Sequence, residues 1–121
     1  MQRSTHETGK RGEDAAARYL VAAGYRIRGR NIRLGKYEID IVASDPTDGT
    51  LVFAEVKTRS RQSDAYPIRT AVDARKRRAM RRAIIAYVET EQFEGPGRID
   101  LLSVEGERVV EHMRDLGSDF V

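Results

Sequence analysis

Cysteine and tryptophan are both absent from this sequence. Without thiols there can be no disulfide, thiolate zinc site, iron–sulfur cluster or cysteine nucleophile. Histidine occurs only as His6 and His112, too few for a histidine-rich zinc site and too far apart to suggest a catalytic triad. No apolar run approaches the roughly 18 residues of a membrane span. The opening residues MQRSTHETGKRGED lack the apolar stretch of a secretory leader. The expected compartment is therefore the cytoplasm, with no membrane partner. Nor is there a glycine-rich phosphate loop, because the glycines fit neither of the nucleotide-binding patterns.

What is present suits one compact unit. A chain of 121 residues, 40% of them hydrophobic, can bury on the order of two thirds of the surface its unfolded form exposes. Residues 1–121 are read as a single domain with a polar, flexible arm through about Arg11. The net charge of +3 is unevenly spread. Up to Tyr87 there are 19 basic and 10 acidic residues, and after it 3 and 9. Of the basic residues 18 are arginine, whose planar fork suits phosphate oxygens better than a compact ammonium does. A polyanion is the natural partner, although a solvated surface or a GC-rich genome would also enrich arginine.

Hydrophobic spacing sets out the elements. Ala15, Ala16, Tyr19, Leu20 and Ala23 recur at helical intervals from Gly12, and Gly24 is placed to stop that helix. Tyr25 to Arg28 alternates as a strand, and Gly29 and Asn31 then predict a bulge or kink before Ile32 and Leu34. Tyr37 to Ala43 and Leu51 to Thr58 read as two strands of an antiparallel hairpin around Ser-Asp-Pro-Thr-Asp-Gly-Thr. Thr70 to Glu91 reads as the longest helix, with Val72, Ala79, Met80, Ala83, Ile84, Tyr87 and Val88 as its buried stripe and arginines on its other faces. Arg98 to Val104 and Arg108 to Met113 complete an αβββαβ order with one extra strand, an α/β architecture.

The informative feature is charge inside the hairpin strands. Alternation puts Glu38 and Asp40 on one face of the first strand, opposite Ile39 and Ile41, and groups Phe53, Glu55 and Lys57 on one face of the second. Burying carboxylates in strands that otherwise look like core is costly unless they are paired or hold a metal. Asp40 and Glu55 are oxygen ligands suited to a hard divalent ion, Mg2+ or Mn2+, which needs only one or two carboxylates beside water and phosphate. Lys57 would then orient a water or act on a scissile phosphate. The competing reading is a solvent-facing Glu-x-Lys pair of little consequence.

These residues, together with Gly12-Glu13, Tyr19-Leu20, Gly24-Tyr25, Asn31, Val56-Lys57-Thr58-Arg59, Ala71-Val72, Lys76 and Arg98-Ile99-Asp100, resemble the YraN-like family of bacterial proteins. The likeness runs from about Gly9 to the last strand. It implies the restriction-endonuclease-like fold of the PD-(D/E)xK nuclease superfamily, a mixed sheet flanked by helices, similar to archaeal Holliday-junction resolvases. It also implies a nucleic-acid-binding protein, a Mg2+-dependent endonuclease or resolvase acting on DNA, with a homodimer suited to paired strands. A non-catalytic DNA- or RNA-binding or assembly module that keeps the fold is the alternative.

Carried over by residue, Asp40 and Glu55 match the superfamily's acidic metal ligands, Lys57 its lysine, and Glu13 the first-helix glutamate of resolvase-like members. No proline precedes Asp40, a departure from the pattern, and Glu38 stands nearby instead, either as an extra acidic contact or paired with Lys57 or an arginine. Arg11, Arg59 and Lys76 are the candidate nucleic-acid contacts. Lys76 lies on the apolar stripe of the long helix, so it either snorkels outward or reaches back to the site. Asp100 is expected to be a buried arginine partner and His112 an exposed strand residue.

Overall fold

The structure, a computed structural model, describes residues 5–59 and 74–116, and the side chains from residue 9 of the first helix onward. Its elements in order are α1 (Thr5–Ala22), β1 (Arg26–Leu34), β2 (Tyr37–Ser44), β3 (Leu51–Thr58), α2 (Ala74–Glu91), β4 (Gly97–Glu105) and β5 (Arg108–Met113). The five strands form one sheet in the order β1-β2-β3-β4-β5. All neighbours are antiparallel except β3 and β4, which run parallel. A parallel pair needs a crossover, and the chain between these two strands contains α2. The expected mixed α/β core is present.

Alternate residues of β3 enter two separate cores. Leu51 and Phe53 pack with Met80, Ala83 and Tyr87 of α2, while Val52 and Ala54 pack with Ala15, Ala16 and Leu20 of α1. The sheet is therefore covered by one helix on each face, and β3 is buried from both sides. Phe53 and Tyr87 meet edge to face, their ring centres 5.7 Å apart.

Local chemistry explains the boundaries. Gly24 sits at a φ of 93°, a left-handed conformation that glycine adopts without steric cost. Its N–H donates to the Val21 carbonyl, and that of Tyr25 donates to Leu20 at 2.9 Å. That pair of bonds is the Schellman arrangement that closes a helix, and Leu20 and Tyr25 share the α1 core. The bulge expected near Gly29 is found as a register shift between Ile27 and Gly29, and Asn31 has a φ of 52°.

The N-terminal expectation is corrected. The helix begins at Thr5, ahead of the start expected at Gly12, so residues 5–11 belong to it. Gly12 is a contact point within the helix, because a Cβ there would collide with Thr58 Oγ1 at the end of β3. This close approach sets α1 against the open end of the sheet. The long helix is seen from Ala74, and the expected positions 70–73, Val72 included, lie outside the described residues.

Candidate active site

β2 and β3 pair only from Ile41 opposite Ala54 to Ser44 opposite Leu51. Beyond that, β2 stays with β1 as far as Tyr37, while β3 stays with β4 as far as Thr58. The sheet thus forks. Asp40 and Glu55 are the first residues past the last pair on their respective strands. In the fork the Val56 N–H has no β2 carbonyl to meet, and a buried N–H must find an acceptor. It donates to Asp40 Oδ2 at 2.8 Å, so the carboxylate takes the place of the missing ladder bond.

The fork also interrupts strand alternation. Strict alternation would keep Ile39 and Ile41 together, yet Ile39 packs with Val42 and Phe53 in the α2 core and Ile41 with Ala43 and Val52 in the α1 core. β2 turns over at Asp40 as it leaves β3. Tyr37 consequently faces the α2 core and donates its hydroxyl hydrogen to Glu55 Oε2 at 2.9 Å.

Glu55 is 6% exposed, and its other oxygen, Oε1, lies 2.5 Å from Lys76 Nζ. Of the two sequence readings of Lys76, the structure takes the inward one. Lys57 stands beside Lys76, and its pKa is lowered by burial and then by the Lys76 charge. Lys76 itself is held above the ordinary lysine value: burial opposes its charge, but the bond to Glu55 and the attraction of Glu55 and Asp40 outweigh it. Asp40 is pushed up to about 7, first by burial and next by the Glu55 carboxylate, with Glu13 adding and the Val56 N–H and Lys76 opposing. Tyr37 is also shifted upward by burial and by Glu55.

Glu13 enters from α1. Burial raises its pKa and Glu38 adds to the rise, against Arg30 and the Asn31 amide. With its amide nitrogen turned to the carboxylates, Asn31 bridges Glu13 Oε1 at 2.5 Å and Glu38 Oε1 at 3.3 Å. Glu13, Asn31, Glu38, Asp14 and Arg30 line a cleft of about 630 Å³ that also reaches Gly9 and Lys10. Glu38 pairs with an arginine, Arg33, at 3.6 Å, an exposed contact of the kind that contributes little.

The structure thus brings Asp40, Glu55, Lys57 and Lys76 into one fork, with Glu13 close enough to act on Asp40 electrostatically. It does not bring Arg11 there. Arg11 NH2 lies 3.0 Å from Glu107 Oε1 in the β4–β5 turn. Arg59 follows β3 and is anchored by its backbone N–H to the Val104 carbonyl. Sequence reasoning missed Tyr37 and Asn31. Tyr37 reads as one more apolar strand position, and the signal for Asn31 was its interruption of a strand.

A divalent cation would be held by Asp40 and Glu55. Among the described residues no group of three histidines or carboxylates is arranged to hold a metal, so the remaining ligands would be water and substrate oxygens, the coordination magnesium prefers. The residues fit such an ion. Two carboxylates close enough to raise the pKa of Asp40 are in a repulsion that a cation relieves.

A second charged cluster is structural. Asp100 is fully buried and accepts hydrogen bonds from Arg98 Nε at 3.0 Å and from the Asp115 N–H at 3.0 Å. His112 Nε2 lies 2.8 Å from its Oδ2, while His112 Nδ1 lies 2.8 Å from the Tyr19 hydroxyl. Arg98 reaches on to Asp45 at 2.6 Å and Tyr25 at 2.9 Å. Asp100 is the arginine partner expected. His112 is not the exposed strand residue expected, since its side chain is 8% exposed. Tyr19 of α1 covers it and gives its ring a polar partner.

Residues 12–104 match the family model described as uncharacterised protein family UPF0102. The chain belongs to family UPF0102. A UPF0102 protein of Bacteroides thetaiotaomicron is 46% identical over 102 residues, covering 84% of this chain and 82% of that one. One from Symbiobacterium thermophilum is 40% identical over 101 residues, covering 84% of each. A longer relative in Oleidesulfovibrio alaskensis is 41% identical over 99 residues, which are 82% of this chain and 48% of that protein. The YraN-like resemblance seen in the sequence is this same family. The UPF0102 match spans α1 from Gly12 through β4, and so contains the whole fork. Among the described residues, no helix is long and apolar enough to cross a membrane.

Proposed function

We propose that this protein is a metal-dependent phosphodiesterase acting on nucleic acid, with DNA as its substrate. The observation that carries the reading is the convergence of Asp40, Glu55 and Lys57 at the point where β2 and β3 part. A bound Mg2+ or Mn2+ would lower the pKa of a water and stabilise charge on the phosphoryl oxygens. Asp40 and Glu55 would hold the cation, with the Tyr37 hydroxyl orienting Glu55. Lys57 presents an ammonium to the attacked phosphate, and electrostatic stabilisation at such a point is worth more in a desolvated fork than in water. Glu13, from α1, adds negative charge that acts on Asp40. A second copy of the chain would serve the paired strands of a branched substrate.

Purified protein, Asp40→Ala and Lys57→Ala should be compared on duplex, flap and four-way-junction DNA with Mg2+ or Mn2+. The wild type should cleave at least one of these, and each variant should lose about 100-fold or more, the scale of an electrostatic catalytic group. Equal cleavage by all three proteins would mean a contaminant and end the catalytic reading.

One observation favours a second reading. Both oxygens of Glu55 already have partners, Tyr37 and Lys76, so this carboxylate is satisfied without a cation. A binding or assembly module on DNA or RNA would need nothing more. It predicts salt-sensitive binding with no cleavage in any divalent metal.

A further inference from the structure

The five arginines of α2 are the largest set of charges that the fork leaves unexplained. Lys76, Met80, Ala83 and Tyr87 turn inward. Arg75, Arg78, Arg81 and Arg82 are exposed on the opposite side, and Arg77 lies half-buried on the flank. Among the described residues, none of the five has an ion pair, whereas Arg11, Arg30, Arg33 and Arg98 each have a carboxylate partner.

This charge is placed where the helix itself is destabilised by it. Within its described span α2 has no acidic residue before Glu89 and Glu91. Arg75 and Arg78, Arg77 and Arg81, and Arg78 and Arg82 are like charges three or four residues apart, spacings at which repulsion is felt. A polyanion laid along this face removes that repulsion. Arginine rather than lysine suits phosphate, because its fork can bind two oxygens of one group. Ile85, 47% exposed, is the single large apolar side chain on the face, too little apolar surface for an interfacial membrane helix.

We propose that the outer face of α2, through Arg75, Arg78, Arg81 and Arg82, is a binding surface for the phosphodiester backbone of a nucleic acid. The inference rests on the nucleic-acid reading above but does not require catalysis. Arg75 to Arg82 spans about 10 Å of helix axis, the length of about three base pairs of B-form DNA. Lys76, between Arg75 and Arg77 in sequence, points the other way, into the fork, so this surface is separate from the carboxylate site and lies across the helix from it.

The test uses the full chain carrying Asp40→Ala, so that binding is read without cleavage, and a fluorescent 20-base-pair duplex followed by anisotropy from 50 to 300 mM salt in EDTA. On that background Arg75→Gln, Arg78→Gln and Arg82→Gln are combined, and compared with a triple of the same charge elsewhere, Arg26→Gln, Arg108→Gln and Arg114→Gln, all exposed positions. The α2 triple should weaken binding at least 30-fold at 100 mM salt and flatten the slope of log affinity against log salt by about 2 to 3, since each phosphate contact contributes about 0.9. The control triple should change affinity less than threefold. The α2 triple should melt no lower than its parent, because it removes repulsion. Equal losses in both triples, no loss in the α2 triple, no binding by the parent, or α2-dependent binding to phosphatidylserine vesicles in place of DNA would each overturn the proposal. Wild-type cleavage that persists in an otherwise unaltered α2 triple sinks this surface alone. Binding through α2 without wild-type cleavage sinks the nuclease reading alone.

Discussion

Replacing Asp40 by asparagine should make the protein more stable at alkaline pH. The carboxyl is pushed up to about 7 from an ordinary 3.8. An acid whose pKa is raised by folding contributes stability in full below its unfolded pKa, and that contribution is lost as the pH climbs through the folded pKa. Below about pH 4, then, Asp40 is protonated in both states. Between about pH 4 and 7 the unfolded chain releases a proton that the folded chain retains, and stability falls; above 7 the loss is complete. At about 1.4 kcal/mol per pH unit the whole span amounts to about 4 kcal/mol. Asparagine keeps an oxygen for the Val56 N–H and cannot ionise. The pull of Lys76 is already contained in that raised value, so the gain at alkaline pH approaches the whole span, about 4 kcal/mol. Urea unfolding of both proteins at pH 4.5, 6, 7 and 8.5 reads this directly. The two should coincide within about 1 kcal/mol at the lowest pH and diverge steadily towards the highest. A difference that does not vary with pH, or an asparagine variant less stable at pH 8.5, would refute the claim that two carboxylates repel each other in a desolvated fork.

Three further outcomes follow from the same packing. Lys76→Met leaves Glu55 buried without its cationic partner and should cost about 3 kcal/mol in chemical unfolding; most of that should disappear on a Glu55→Gln background, and a loss below about 1 kcal/mol would class the pair with exposed ion pairs. Asp100→Asn strips the charge that holds Arg98 and His112 and should cost about 3 kcal/mol at neutral pH. Because Asp100 is held below the ordinary carboxylate range by His112, Arg98 and the Asp115 N–H despite its burial, its contribution is present above the unfolded pKa, so this deficit should shrink as the pH falls through its lowered folded value. Gly12→Ala should lower the melting temperature despite alanine's helix propensity, because its methyl group meets Thr58 Oγ1; overpacking costs about 1 to 3 kcal/mol, and Thr58→Ala should restore most of it.

The helices, the strands and the αβββαβ order were readable because periods of 3.6 and 2 are local properties, visible wherever an element has one apolar face. Asp40, Glu55 and Lys57 stood out for a related reason: charge in an otherwise apolar strand is costly unless it has a task. The ends of elements were less legible. Gly12 reads as a helix boundary by propensity, yet it lies inside α1, where a close approach to Thr58 demands the smallest residue. Lys76 was visible on an apolar stripe, but nothing local to α2 says that Glu55 waits for it.

The remainder depended on long-range geometry. That β2 and β3 stop pairing after Ile41 and Ala54 is settled by competition among whole strands for partners, and residue alternation is blind to it. From that one event come the capture of the Val56 N–H by Asp40, the turning of Tyr37 onto Glu55 and the raised pKa of Asp40. The burial of His112 beneath Tyr19 likewise joins residues 93 positions apart. Composition and periodicity were enough to say which groups are chemically unusual and which elements carry them. Distances between those groups, and hence their protonation, came from tertiary packing, because electrostatic energy depends on separation and local dielectric, neither of which is a property of a segment taken alone.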